Sequence, residues 1–162
     1  MPKQHYKAST FCPHSSVGYL AKRAHSLLLD AVEPLLQRHG LTYAQYFVLA
    51  MLRDSAAVNP KDICLQFRHD SGALTRVIDQ LAERGLLVRL RSDVDRRKVE
   101  LQLTAAGRKV LESIVPEVLE LLNHALEDFS AAEVQELTRL LTKLNARLQM
   151  MVESQGTMDI AS

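Results

Sequence analysis

Between Arg84 and Lys98 the chain sets Arg84, Arg89, Arg91, Arg96, Arg97 and Lys98 against only Asp93 and Asp95. Cations gathered in so short a segment suit the binding of phosphate oxygens, by charge and, for arginine, by paired hydrogen bonds. The two aspartates in such a segment need a reason. A carboxylate of Asp93 or Asp95 bonded to Arg97 would hold that guanidinium ready for a narrow, strongly negative groove, leaving Arg96 and Lys98 for the flanking phosphates. Just upstream, Ser71, Gly72, Ala73, Thr75 and Arg76 combine short and hydrogen-bonding side chains with one more arginine, which can pair bidentately with guanine O6 and N7. The formal charge of +1 conceals an asymmetry, since Glu112, Glu117, Glu120, Glu127, Asp128, Glu133 and Glu136 lie in a stretch without Lys or Arg. One end of the protein is expected to attract polyanions and the other to repel them.

Other chemistry is poorly supplied. Cys12 and Cys64 cannot build a disulfide framework and lack zinc-finger spacing, so two reduced thiols are expected. Cys12 with His14 finds no further ligand at metal spacing. No Gly-rich phosphate loop, nucleophile elbow or His-Glu zinc helix occurs, which argues against an enzyme, a metal or a cofactor. The N-terminus has no signal-like segment and no stretch approaches the roughly 18 apolar residues of a membrane span, so a cytoplasmic protein away from membranes is expected.

The elements that must position these residues follow from periodicity. At 162 residues the chain fits one domain, or one binding module with an extension. Residues 1–16 read as an extended arm. From Val17, the set Leu20, Ala24, Leu27, Leu28, Ala31, Leu35 marks an amphipathic helix that Pro34 should kink or re-start and Gly40 should close. Thr42 to Gln45 is a capping box opening a second helix with a core stripe of Phe47, Val48, Met51 and Leu52. Asn59-Pro60-Lys61-Asp62 starts a short third helix. Asp70 can cap a fourth, with Leu74, Val77, Ile78 and Leu81 inward and Gly85 as its stop.

The period then changes to two. Leu86, Val88 and Leu90, and then Val99, Leu101 and Leu103, read as the buried sides of a hairpin whose loop is Ser92 to Lys98. Thr104 caps a fifth helix expected to continue to Phe129 with a bend at Pro116. Ser130 to Glu133 is a second capping box, and Leu137, Leu141, Leu144, Leu148 and Met151 then follow an a/d pattern, which packing within the chain explains as well as dimerisation does. Three short helices followed by a hairpin is the order of a winged helix-turn-helix, mainly α with a small β-hairpin wing. In that arrangement the last helix enters the major groove of double-stranded DNA, which assigns Ser71, Gly72, Ala73, Thr75 and Arg76 to base edges and neighbouring phosphates, and Arg91, Asp95, Arg96, Arg97 and Lys98 to the wing contact.

Asp95-Arg96-Arg97 followed by Leu103-Thr104-Ala105-Ala106-Gly107 resembles the wing-to-helix signature of the MarR family of transcriptional regulators. Gly40 to Gln45, the run Leu81 to Leu86 and the six-helix order extend the resemblance over nearly the whole chain. It implies a homodimer formed by the first and last two helices, a pseudo-palindromic operator, repression, and release by a small aromatic acid. On that basis residues 17–39 and 104–153 form a helical dimerisation region, 41–103 the winged lobe and 154–162 a flexible tail. An aromatic carboxylate needs a cation or donor and apolar or aromatic walls. His14, Ser16, Tyr19 and Arg23, beside Lys22 and His25, offer the first and Tyr43 and Tyr46 the second, although ordinary interface side chains would read the same. The alternative is a redox-responsive repressor sensing through Cys12, which departs from the family pattern by preceding Pro13 upstream of the first helix.

Overall fold

A computed structural model of the chain describes residues 4–53, 58–67, 71–91 and 99–159. The expectations for Asp70, Asp93, Asp95, Arg96, Arg97 and Lys98 lie outside these residues. The arm is not simply extended, because Pro13–Ser15 forms a 3-10 turn and the Tyr6 hydroxyl accepts the Val17 N–H at 3.0 Å. Ser16 then caps helix α1 (Val17–Arg38), its Oγ accepting the Tyr19 N–H at 3.3 Å. Pro34 lies inside α1 without re-starting it. The first half of α1 buries nothing, whereas Val32, Leu35 and Leu36 of its second half enter the core.

Gly40 ends α1 at φ +69°, with its N–H bonded to Gln37 O at 2.9 Å and that of Leu41 to Leu36 O at 3.0 Å. This Schellman closure needs the left-handed backbone that glycine adopts without strain. The capping box of helix α2 (Tyr43–Arg53) is reciprocal: the Thr42 N–H donates to Gln45 Oε1 at 3.1 Å and the Gln45 N–H to Thr42 Oγ1 at 3.3 Å. Asn59 caps α3 (Pro60–Phe67), accepting the Lys61 N–H at 2.8 Å. Helix α4 (Ser71–Glu83) buries Leu74, Ile78 and Leu81, and closes at Gly85, φ +67°, with the same pair of bonds as α1.

Strands β1 (Leu87–Arg91) and β2 (Val99–Leu103) pair antiparallel, Leu87 opposite Leu103 and Arg89 opposite Leu101. The buried side of β1 is not the expected one. Leu87, Leu101 and Leu103 are 1, 0 and 8 % exposed, while Val88 and Leu90 are 39 and 44 % exposed. The cause is the turn. Leu86, 6 % exposed, is buried as expected but belongs to the helix closure, its N–H bonding Leu81 O, so the strand starts at Leu87, which is the one buried residue of β1. Val58 adds a bridge to Leu101, with N–H to O bonds of 3.0 and 2.8 Å, that periodicity did not reveal.

Helix α5 (Ala105–Ala125) stops short of Phe129, which ends a turn instead, and Pro116 lies within it. Thr104 caps it by accepting the Gly107 N–H at 3.0 Å. A Cβ on Gly107 would lie 2.0 Å from Leu86 O and 2.8 Å from Leu103 Cδ1. Leu86 O cannot retreat freely, because it accepts both the N–H and the hydroxyl of Thr104, at 3.2 and 3.0 Å. Gly107→Ala is therefore expected to destabilise the fold by about 1–3 kcal/mol in urea melts, the overpacking outweighing the roughly 1 kcal/mol that alanine gains in helix propensity.

Helix α6 (Ala131–Asp159) opens on the expected capping box, the Ser130 N–H donating to Glu133 Oε2 at 2.9 Å and the Glu133 N–H to Ser130 Oγ at 3.3 Å. It continues past Ser154, where a flexible tail was expected, since no proline interrupts it and one glycine inside a helix costs only about 1 kcal/mol. The chain divides into two compact units, Met1–Leu121 and Leu122–Ser162. The core of the first gathers Leu36, Leu41, Val48, Leu49, Leu52, Ile63, Leu81, Leu101 and Ile114, all at most 2 % exposed. Among the described residues no helix is long and apolar enough to cross a membrane.

Candidate nucleic-acid interface

Helix α4 is held by its apolar stripe, which leaves Gly72, Ala73, Thr75 and Arg76 exposed on the outer side of its first turns, with Ser71 at its start. Asp79, the neighbour best placed to neutralise Arg76, is committed elsewhere: it accepts Arg89 Nη2 of β1 at 2.5 Å. Arg76 has no ion-pair partner among the described residues. A guanidinium presented this way can meet a guanine edge or a phosphate at little rearrangement.

The basic segment is less uniform than its composition suggests. Arg89 ties the hairpin to α4, and Arg84 donates to Gly40 O at 2.8 Å, so both serve the fold. Arg91 is exposed at the end of β1, opposite Val99 in the register. The spacing of Arg84 and Arg89 gave no warning of these partners, which come from elements brought together only by folding. The acidic stretch is likewise partly neutralised. Glu117 accepts Arg38 Nη2 and meets His39 Nε2, each at 2.7 Å, and these bonds, Arg38 first, hold its carboxyl below the usual carboxylate range.

The six residues expected to take a ligand fall into two groups. At the start of α1 the His14 and Tyr19 rings stand edge-on at 5.1 Å, Ser16 caps the helix, and Arg23 Nη1 donates to Tyr19 Oη at 3.4 Å. Further along, Tyr43 of α2 lies 6.5 Å from the His25 ring and 6.4 Å from Phe47, and its N–H bonds Glu33 Oε2 at 2.9 Å. Tyr46 packs against the core, and burial pushes the hydroxyl pKa of both tyrosines up. A cavity of about 450 Å³ opens elsewhere, between α3 and α4, lined by Pro60, Lys61, Cys64, Leu65, Leu74, Thr75 and Ile78. None of the six predicted ligand residues lines it. No group of three or more His, Cys, Asp or Glu able to hold a metal occurs among the described residues.

A short helix, an exposed second helix and then an antiparallel hairpin define a winged helix-turn-helix, the class of fold that docks a helix in the major groove. The chain belongs to the MarR family of transcriptional regulators. The family profile matches residues 39–98. The HTH-type transcriptional regulator MgrA of Staphylococcus aureus is 32% identical over 112 residues, 68% of this chain and 74% of that protein. Among solved structures, BpsR of Bordetella bronchiseptica, described with regulation of its DNA binding by 6-hydroxynicotinic acid, is similar at TM-score 0.73 and 30% identity, covering 83% of this chain and 96% of that one. A mutant MarR of E. coli in complex with operator DNA is similar at TM-score 0.70 and 29% identity, covering 79% and 92%.

Proposed function

We propose that this protein is a cytoplasmic homodimeric repressor that holds a pseudo-palindromic operator with α4 and the wing, and leaves it when a small aromatic carboxylate binds near the start of α1. The observation that carries the DNA half is Arg76, exposed on α4 while Asp79 is occupied by Arg89. Ser71, Gly72, Ala73 and Thr75 are assigned to the same contact, and Arg91, Asp95, Arg96, Arg97 and Lys98 to the wing. Dimerisation by residues 17–39 and 104–153, with 41–103 as the DNA lobe, is supported by the side chains left uncovered. Val17, Leu20, Leu27 and Leu28 of α1 and Leu137, Leu140, Leu141 and Leu148 of α6 are each at least 40 % exposed in the single chain.

The effector half is supported by the cluster of His14, Ser16, Tyr19 and Arg23, with the aromatic side chains of Tyr43 and Tyr46 further along, and by the pyridine carboxylate that governs DNA binding in the similar BpsR. A second reading, redox sensing through Cys12, draws on an exposed thiol whose pKa is held below its ordinary value by hydrogen bonds from Ser15. One experiment separates these. Binding to duplex DNA is measured in rising salt, then in the presence of hydroxylated benzoates, cinnamates, pyridine carboxylates or peroxide. Steep loss with salt is expected, together with one acid that both raises the melting temperature and releases the DNA. Binding indifferent to salt would overturn the DNA reading. Release by peroxide alone, abolished in Cys12→Ser, would replace the effector reading with the redox one.

A further inference from the structure

Gln45 is a polar side chain that is buried, 8 % exposed, within the core of the winged lobe. Its orientation follows from chemistry. The Thr42 N–H can only donate, so Gln45 turns Oε1 toward it, at 3.1 Å, and its Nε2 then faces α4, where it donates to Gln80 Oε1 at 3.0 Å. Arg84 Nη1, which can only donate, reaches Gly40 O at 2.8 Å and Gln45 Oε1 at 3.5 Å. A Cβ on Gly40 would stand 3.6 Å from Arg84 Nη2, so the guanidinium lies directly over the closing turn of α1. The two residues before that glycine, Arg38 and His39, are held by Glu117 of α5. Three consecutive residues therefore tie α5 on one side and α4 on the other to a single corner.

We infer that Gln45, Gln80 and Arg84 form a polar latch that sets the rotation of the recognition helix α4 relative to the α1–α2 corner, making them positioning residues for sequence readout. This rests on the DNA reading above. Leu74, Ile78 and Leu81 fix how deeply α4 is seated, but apolar contact is non-directional and tolerates rotation about the helix axis. Hydrogen bonds are directional. Gln80 follows Arg76 by four residues and so shares its side of the helix, which places the latch one turn from the side chain assigned to a base edge. A productive polar contact tolerates displacements of about 0.5 Å and rotations of about 10–20°, so a small turn of α4 is enough to spoil it. Gln80 and Arg84 are both exposed while Gln45 is buried, so water can reach the place that Gln80→Ala vacates and partner the Gln45 amide. Losing them is therefore expected to affect discrimination more than folding.

The test uses the full chain and the operator that wild type selects from random-sequence duplexes, with fluorescence anisotropy giving the ratio of affinities for selected and random DNA. Gln80→Ala and Gln45→Met are each expected to lower that ratio about fivefold or more, with the salt dependence on random DNA unchanged. Gln45→Glu is expected to stay within twofold of wild type, because its carboxylate still accepts the Thr42 N–H and Gln80 can turn its amide to donate. The double variant Gln45→Met, Gln80→Ala should be no worse than the poorer single one, since Gln80→Ala removes only the bond that Gln45→Met has already broken. Unchanged ratios in both single variants overturn the latch. Additive losses overturn it too, by showing that Gln80 touches DNA on its own account. If Gln45→Met does not fold, Gln80→Ala and Gln45→Glu decide. Failure of wild type to select any sequence strikes the DNA reading itself, and the latch with it.

Discussion

Replacing Arg76 by alanine is expected to cost about tenfold or more in affinity for each operator half-site, and far less on random duplex DNA. The magnitude is that of a bidentate arginine–guanine pair, about 1–3 kcal/mol of discrimination. It applies because Arg76 starts without an ion-pair partner among the described residues, so no ion pair among them has to be broken first. In a symmetric dimer the loss is counted twice. The competing role is a phosphate contact, which has a different signature: affinity would fall evenly across sequences and the salt slope would drop by about one per contact. Titrations on selected and random duplexes at several salt concentrations distinguish the two, and an even fall would remove Arg76 from sequence readout.

The second large effect is expected from Leu141→Glu on α6. Leu137, Leu141, Leu148 and Met151 recur along one stripe and are each 40–46 % exposed in the single chain. Burying a leucine is worth roughly 1.5–3 kcal/mol, and the proposed twofold dimer would place each substitution in the interface twice. A carboxylate there loses that burial and adds a charge that must be desolvated. The variant is expected to sediment as a monomer at micromolar concentration and to lose operator affinity by a hundredfold or more, because a monomer engages one half-site without the effective concentration that links two. A variant that remains dimeric would take the stripe out of the interface and leave it to packing within the chain.

Local chemistry carried much of the fold. Both capping boxes form with reciprocal bonds, Asn59 caps α3, and Gly40 and Gly85 close their helices at positive φ, because each feature involves residues a few positions apart that meet in almost any context. The inward stripe of α4 followed from periodicity in the same way. The hairpin shows where such reading ends. A run of leucines and valines fits either phase, and only the turn at Gly85 and the register against β2 chose Leu87 over Val88 for the core.

Charge was less legible than hydrophobicity. Composition marked Arg84, Arg89 and Arg91 alike, yet Arg84 is spent on the α1 turn and Arg89 on Asp79, while Arg91 stays exposed. The basic segment that begins at Arg84 was thus visible as a place for phosphate, and its position after an exposed helix was visible too. Which arginines are available to DNA was decided by tertiary structure, because an ion pair forms between groups that the fold brings within hydrogen-bond reach, whatever their separation along the chain.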